Sequence, residues 1–207
     1  MPEATPPPAT VVVLASGSGT VFEALADHLA DTDGEVVVTR LVCDQPSAGV
    51  VDKARSRGID VDVVPLLDRS RRDDWNTQVA DAIERGRPDL VVSAGFMRVL
   101  SGHVLGRFPE RVINTHPALL PAFPGAHAVR DALAYGVRVS GCTVHLVDSG
   151  VDTGPVIAQE PVPVHDDDDE ATLHERIKQV ERRLLPAVTL RMLREGWTIE
   201  GRRVTIP

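Results

Sequence analysis

The chain has 207 residues, of which 43% are hydrophobic and 25% charged, and its formal net charge is −8. This length and composition fit one globular domain and exclude a chain that is disordered throughout. The acidic balance argues against broad binding to nucleic acid or to an anionic membrane surface, because both need a positive protein face.

The first half of the chain alternates short β-branched runs with helical patterns, which is typical of parallel βαβ units. A proline-rich segment, residues 1–10, is expected to be a flexible tail, and residues 11–207 are expected to form a single domain. The predicted strands are 11–15, 36–43, 61–64 and 90–94, and the predicted helices are 21–30, 48–57 and 73–85.

The second half departs from this alternation. Two apolar runs follow one another with no helical pattern between them, so they predict an antiparallel pair of strands. A proline-rich loop precedes them, between a further strand and a short helix. The predicted strands are 111–115, 141–147 and 156–164, and the short helix is 127–135.

A long amphipathic helix is predicted from about Ala171, because apolar residues recur at spacings of three and four. Thr172 and Glu175 have the spacing of a capping box at its start, and the helix could kink or divide at Pro186. The predicted fold class is therefore α/β: a mainly parallel twisted sheet flanked by helices, with an antiparallel C-terminal part.

A glycine loop, residues 16–20, follows the first predicted strand and precedes a helix. Glycines let the backbone approach a ligand, and the free N–H groups of a helix start favour an anion. Gly17 and Gly19 match the first two glycines of a dinucleotide fingerprint, and Asp44 lies near the place of its ribose-binding acid, but Phe22 stands at the third glycine. One phosphate is thus favoured over a pyrophosphate, and a turn without a ligand is the alternative.

Asn114 and His116 belong to the segment Asn114-Thr115-His116-Pro117. In an extended chain both side chains point to the same face. An amide that stabilises an oxyanion beside an imidazole that moves protons suits acyl transfer. The alternative is that both side chains are satisfied by backbone groups at the end of a strand.

A carboxylate partner for His116 is expected, because it would fix the imidazole tautomer and raise its basicity. Asp152 is the best candidate, since it lies in a glycine-bearing loop after a strand, and Asp148 is its local competitor. Either aspartate could instead form a turn. His145 could line the site or be an ordinary strand residue.

Neither the cysteines nor the acidic run predicts a metal or disulfide site. Cys43 and Cys142 are too few for a disulfide framework and lie in apolar runs, so we expect them reduced, buried and in the cytoplasm. His165 with the acidic run 166–170 fits no zinc signature, so no metal is expected. The N-terminus has no signal-peptide pattern, and no apolar run reaches the roughly 20 residues of a membrane helix.

Taken together, four motifs in this order resemble the formyltetrahydrofolate-dependent formyltransferase family. The resemblance runs from about residue 11 to 195 and implies a Rossmann-like formyltransferase fold. The four motifs together, in this order, are specific to the family. They are residues 12–19 (VVLASGSG), 93–100 (SAGFMRVL), 114–125 (NTHPALLPAFPG) and 151–157 (VDTGPVI).

The resemblance implies that Asn114, His116 and Asp152 are a catalytic trio. The amine of glycinamide ribonucleotide would attack the formyl carbon of 10-formyltetrahydrofolate, the cosubstrate. Asn114 and a protonated His116 would stabilise the oxyanion, and Asp152 would raise the pKa of His116. The implied partners are these small molecules alone, with no metal, nucleic acid or membrane; monomer and homodimer both stay open.

The resemblance also implies binding residues for both substrates. Where many family members carry Asn, this chain has Val21, so a side-chain contact to phosphate is lost while the backbone amides remain. The match of Arg72 rests on spacing alone. The implied ribonucleotide contacts are Gly19, Thr20, Val21, Lys178 and Glu181, and the implied folate contacts are Arg72, Met97, Arg98, Val99, Leu100 and Asn114.

Three other functions are weighed against this one. A relative that formylates an aminoacyl-tRNA adds a C-terminal domain, and the acidic chain disfavours that partner. A hydrolytic relative adds an N-terminal regulatory domain, for which ten residues leave no room. A non-catalytic nucleotide-binding module would use residues 16–20 and Asp44 and would leave Asn114, His116 and Asp152 scattered.

Overall fold

The computed structural model describes residues 7–207, so most of the predicted tail, residues 1–6, lies outside the described residues. Within the described part the chain forms nine strands, six α-helices and one 3₁₀ turn, Arg69–Arg71. The strands are β1 (Ala9–Ala15), β2 (Val36–Cys43), β3 (Asp60–Val63), β4 (Leu90–Ser93), β5 (Val112–His116), β6 (Val139–Leu146), β7 (Val156–Pro163), β8 (Thr198–Glu200) and β9 (Arg203–Thr205). The helices are α1 (Thr20–Ala30), α2 (Gly49–Ser56), α3 (Arg72–Arg85), α4 (Gly102–Arg107), α5 (Ala128–Tyr135) and α6 (Glu170–Glu195).

Seven of these strands form one sheet in the order β3-β2-β1-β4-β5-β6-β7. The pairs from β3 to β5 are parallel, whereas β5–β6 and β6–β7 are antiparallel. The predicted fold class is therefore confirmed, including its antiparallel C-terminal part. The strand order reverses between β1 and β4, and such a switch point opens a crevice at the carboxyl ends of the strands.

The sheet is buried on both faces, which explains why its central strands are continuous apolar runs. Along β1, Val11 and Val13 pack into one hydrophobic cluster, whereas Val12 and Leu14 pack into another on the opposite face. Side chains alternate along a strand, so one short run supplies both layers. Helix α6 packs against α1 over one of these faces.

Strand β1 begins two residues before the predicted start. Ala9 and Thr10, which the prediction placed in the tail, are strand residues. The amide of Ala9 donates to the carbonyl of Glu35 (2.9 Å), and the hydroxyl of Thr10 donates to the carbonyl of Arg87 (2.6 Å). These partners are far away in sequence, so a proline-rich composition could not reveal them.

Helix α6 starts earlier than the predicted capping box. Asp169 is the N-cap: the amide of Thr172 donates to its carboxylate (2.8 Å), and the Thr172 hydroxyl accepts from the Asp169 amide (2.9 Å). Thr172 is thus the last residue of the box, position N3 of the helix, rather than its first. The helix continues through Pro186 without dividing.

Several short elements had no counterpart in the prediction, among them the 3₁₀ turn Arg69–Arg71. Helix α4 has six residues, two of them glycines, and β8 and β9 form a separate two-stranded hairpin near the C-terminus. Short elements of this kind carry too little periodicity to be recognised from sequence. Within residues 7–207, no helix is long and apolar enough to cross a membrane.

Candidate active site

The predicted functional loops meet at the carboxyl ends of β1, β4 and β5. The amide of Ser16, after β1, donates to the carbonyl of Gly95 (3.1 Å), and the Ser16 hydroxyl accepts from the amide of Met97 (2.8 Å). A cavity of about 290 Å³ lies beside these loops. Its lining includes seven predicted site residues: Met97, Arg98, Val99, Leu100, Asn114, His116 and Asp152.

His116 and Asp152 form the predicted pair. Imidazole Nδ1 lies 3.2 Å from the Asp152 carboxylate, which also accepts a hydrogen bond from the amide of Gly125 (2.8 Å). His116 is only 3% exposed, and its Nε2 lies 2.7 Å from the carbonyl of Phe123. A carbonyl only accepts, so Nε2 carries a proton in this arrangement.

The two members of this pair have pKa values below their ordinary ones. Burial lowers the pKa of His116, and the attraction of Asp152 and the hydrogen bond to Phe123 offset that effect only in part. The expected upward influence of Asp152 is present, but burial outweighs it. Burial would raise the pKa of Asp152, yet contacts with His145, the Gly125 amide and His116 lower it overall. Asp152 is therefore ionised at neutral pH, and the neutral form of His116 is favoured.

His145, whose role the sequence left open, lies opposite Asn114 across the β5–β6 pair. Its Nδ1 lies 2.8 Å from the Leu146 carbonyl and so carries a proton. Its Nε2 lies 3.3 Å from the amide nitrogen of Asn114 and accepts from it when the ring is neutral. When Nε2 carries a proton, that proton favours the charged Asp152 carboxylate. His145 thus turns the amide nitrogen of Asn114 towards itself and leaves a second N–H for another acceptor. The same Nε2 lies 3.6 Å from Asp152, so one buried ring contacts two of the three predicted catalytic residues.

Helix α6 reaches the site from the side of β5. The hydroxyl of Thr115 donates to the carboxylate of Glu181 (2.6 Å), which is 8% exposed. Burial raises the pKa of Glu181, against the lowering effects of Thr115 and Lys178. Glu181 and Lys178 are outside the lining of the 290 Å³ cavity, which α6 reaches through His174 instead. No sequence motif includes His174, although its spacing of four from Lys178 is a usable signal.

The two arginines that the resemblance assigns to the folate, Arg98 and Arg72, already have partners within the protein. Arg98 donates through Nε to the buried carboxylate of Asp44 (2.6 Å), so Asp44 is an ion-pair partner. Arg72 donates to the carbonyl of Val99, and its guanidinium lies 4.4 Å from the centre of the Trp75 ring. Arg72 therefore supports the strip 97–100 and lies outside the cavity lining.

The glycine loop ends in a left-handed residue that begins α1. Gly19 has φ of 80°, and a Cβ there would lie 2.7 Å from Cβ of Val50. Only glycine fits both conditions. The side chain of Val21 is buried in the core, so this residue can offer a ligand only its backbone. Gly19, Thr20 and Val21 do not line the 290 Å³ cavity but lie one strand away from it, after β1.

The loop that carries Asp152 is held at several points that the sequence did not reveal. Asp148 accepts hydrogen bonds from the Gly150 amide (3.0 Å) and the Thr153 hydroxyl (2.6 Å), so this competitor of Asp152 stabilises a turn. Arg202, in the β8–β9 hairpin, donates to the carbonyl of Thr153 (2.9 Å). Asp152 itself has a positive φ of 54°. The tight loop directs its carboxylate to His116.

Neither the two cysteines nor the acidic run 166–170 is among the residues that line the 290 Å³ cavity. Cys43 and Cys142 are free and buried, and burial raises the pKa of both thiols. Across residues 7–207, His, Cys, Asp and Glu side chains form no group of three or more that could hold a metal ion.

The site thus holds a buried imidazole between a carboxylate and a backbone carbonyl. An oriented amide lies near it, at the switch point of an α/β sheet. This arrangement defines an enzyme site suited to acyl transfer. Residues 9–189 match the family described as Formyl transferase. The chain belongs to this family.

Individual relatives agree with the family. A phosphoribosylglycinamide formyltransferase of Mycobacterium tuberculosis is 51% identical over 200 residues, which cover 96% of this chain and 92% of that protein. The enzyme of the same name from Bacillus subtilis is 35% identical over 181 residues, 87% of this chain and 93% of that protein. The crystal structure of glycinamide ribonucleotide transformylase 1 from Symbiobacterium toebii has a TM-score of 0.93 at 38% identity and covers 98% of this chain and 95% of that chain.

Proposed function

We propose that this chain transfers the formyl group of 10-formyltetrahydrofolate to the amine of 5-phosphoribosylglycinamide, a step of purine biosynthesis. A C–N bond forms between the amine and the formyl carbon, the bond from that carbon to folate N10 breaks, and one proton passes from the amine to N10. The observation that carries the proposal is that Asn114, His116 and Asp152 line one cavity. The proposal is also supported by the 51% identity to the phosphoribosylglycinamide formyltransferase of Mycobacterium tuberculosis.

The catalytic roles follow from the contacts of the three side chains. Because His145 holds one N–H of Asn114, the other N–H is available to the oxygen of the tetrahedral intermediate. His116 takes the amine proton and returns it to the leaving nitrogen. The charge on Asp152 stabilises the imidazolium that forms in between.

Burial modifies the role that the sequence suggested for His116. Since its pKa is lowered, His116 enters the reaction mainly as a neutral base and becomes an acid only after it has taken the amine proton. To act as a base at Nε2, the neutral ring must leave the carbonyl of Phe123, which lies 2.7 Å from Nε2. It must also hold its one proton on Nδ1, which faces the Asp152 carboxylate 3.2 Å away. This exchange is feasible because one backbone carbonyl is a single, neutral acceptor.

The ribonucleotide is assigned to the side formed by α1 and α6. The first amides of α1 have no helical partner and suit a phosphate, Lys178 adds a positive charge, and Glu181 is an acceptor for ribose hydroxyls. The buried side chain of Val21 leaves its amide as the contact. The assigned residues are Gly19, Thr20, Val21, Lys178 and Glu181.

The folate is assigned to the wall of the cavity that follows β4. The backbone of Met97 to Leu100 offers donors and acceptors to the pterin ring, and Asn114 lies at the reacting end. Arg72 and Arg98 add positive charge for the carboxylates of the folate tail, although both already have protein partners. The assigned residues are Arg72, Met97, Arg98, Val99, Leu100 and Asn114.

Two further proposals concern the chain as a whole. We place it in the cytoplasm, which is supported by two free, buried cysteines. We also treat residues 11–207 as a single domain, because the family match extends over 9–189 and the C-terminal hairpin contacts the Asp152 loop through Arg202.

The test offers the protein 10-formyltetrahydrofolate with and without phosphoribosylglycinamide and follows folate absorbance. We expect consumption only with the ribonucleotide, and formyl-ribonucleotide and tetrahydrofolate in equal amounts. Equal consumption without the ribonucleotide would indicate a hydrolase instead, and no consumption in either case would indicate a non-catalytic binding module.

A further inference from the structure

His174 is a cavity residue to which the reaction described above gives no role. It lies in the second turn of α6 and lines the same 290 Å³ cavity as Asn114 and His116. Its side chain is partly buried, and its ring makes no hydrogen bond to any other of residues 7–207. An imidazole with free polar atoms on the wall of a reactive cavity is available to a ligand.

His174 shares a helix face with the two α6 residues assigned to the ribonucleotide. His174, Lys178 and Glu181 are spaced by four and three residues, so their side chains lie along one stripe of the helix. Glu181 fixes the direction of this stripe, because it accepts a hydrogen bond from Thr115 of β5. Thr115 lies between Asn114 and His116 in the chain, so the stripe leads to the reacting groups.

The surroundings of His174 favour a neutral ring. Burial lowers its pKa, and the charge of Lys178 lowers it further, while Glu170 and Glu175 act in the opposite direction. A neutral imidazole has one N–H donor and one acceptor nitrogen. It can therefore donate to a hydroxyl or phosphate oxygen while Lys178 supplies the positive charge.

We propose that His174 is a specificity residue for the acceptor substrate and that its ring N–H donates to an oxygen of the phosphoribosyl group. This inference rests on the proposed function. The acceptor is favoured over the folate because His174 belongs to the α6 stripe, whereas the folate wall follows β4. The ligand class that His174 would recognise is a phosphorylated sugar. His174 lies one helical turn beyond Lys178 on the same stripe of α6.

The experiment compares the wild type with His174→Ala and His174→Gln. Loss of one hydrogen bond of this kind predicts a KM for phosphoribosylglycinamide, and a calorimetric Kd, about tenfold higher for His174→Ala. The kcat and the KM for 10-formyltetrahydrofolate should stay within about twofold, because no transition-state contact is removed. Gln keeps an N–H donor and should recover most of the affinity. Gln179→Ala, at an exposed position of the same helix, should leave both KM values unchanged.

Three outcomes would contradict the role proposed for His174. An unchanged KM and Kd for the ribonucleotide in His174→Ala would overturn it, and so would a higher KM for the folate alone. If His174→Gln did not recover the affinity for the ribonucleotide, the ring would contribute only packing to the cavity wall and not a hydrogen bond. A wild type that binds the ribonucleotide but does not formylate it would defeat the proposed function, while the Kd comparison would still decide the role of His174.

Discussion

At the scale of single residues, the proposed role of His116 depends on the groups that surround its ring. Its ring is held at both nitrogens, by the Asp152 carboxylate at 3.2 Å and the Phe123 carbonyl at 2.7 Å. Burial favours the neutral ring, whereas both partners favour the charged one. Burial prevails, so the neutral ring is favoured. A neutral imidazole can take up a proton and, with the charge of Asp152 beside it, hold that proton until it is released.

Removal of the His116 imidazole or of the Asp152 charge should reduce turnover without unfolding the protein. We expect His116→Ala and Asp152→Asn each to lower kcat by about 10²- to 10⁴-fold, the range of general acid–base catalysis. Each variant loses a contact in the cavity but no large apolar side chain, so its circular dichroism spectrum should match the wild type. Asp52→Asn, at an exposed position of α2, serves as the control. Near-normal kcat in either site variant would contradict the catalytic assignment.

At the scale of elements, the sequence predicted those strands whose apolar runs follow from burial of the sheet on both faces. The runs that became β1, β2 and β4 are apolar because both faces of the sheet are covered, and that signal is local. The pairing of His116 with Asp152 was predictable from chemistry, since a catalytic imidazole needs a carboxylate. Even so, the net effect on the His116 pKa needed the burial of the folded chain.

Long-range contacts account for the features that the sequence did not predict. The alignment of His145 with Asn114 depends on the register of β5 against β6. The hydrogen bond from Arg202 to Thr153 spans 49 residues. The N-cap at Asp169 was hidden in an acidic run, where any of several aspartates could begin a helix.

The loop between β6 and β7 should be highly sensitive to a single methyl group. A Cβ on Gly154 would lie 1.7 Å from the carbonyl oxygen of Leu146, so the backbone of the loop would have to move. We expect Gly154→Ala to lower the free energy of unfolding by about 1–3 kcal/mol. It should also lower kcat, because Asp152 would be displaced from His116. Urea denaturation and steady-state kinetics measure the two effects.

Gly106→Ala is the matched control for this prediction. Gly106 lies inside α4, and a Cβ there has no atom within 4 Å. Replacement of a helical glycine by alanine should raise the free energy of unfolding by roughly 0.5–1 kcal/mol, with kcat unchanged. If Gly154→Ala behaved like this control, the close approach to Leu146 would not constrain the loop.

At the scale of the whole molecule, the net charge of −8 opposes both proposed ligands. Phosphoribosylglycinamide carries a phosphate and the folate carries a glutamate tail, so the overall field cannot attract them. We therefore expect binding to rest on the proposed local contacts, namely the first amides of α1, Lys178, Arg72 and Arg98. Local contacts at short range are screened much less by salt than long-range steering.

The rate should therefore depend only weakly on ionic strength. Between about 0.05 and 0.5 M potassium chloride, we expect kcat/KM for the ribonucleotide to fall by no more than about threefold, whereas a steered association falls far more steeply. Sulfate at equal ionic strength should inhibit more strongly than chloride, because it competes for the phosphate position at the start of α1. A loss of tenfold or more in chloride would mean that a positive region of the surface draws the substrate in. Equal inhibition by the two anions would argue against a phosphate held by the α1 amides.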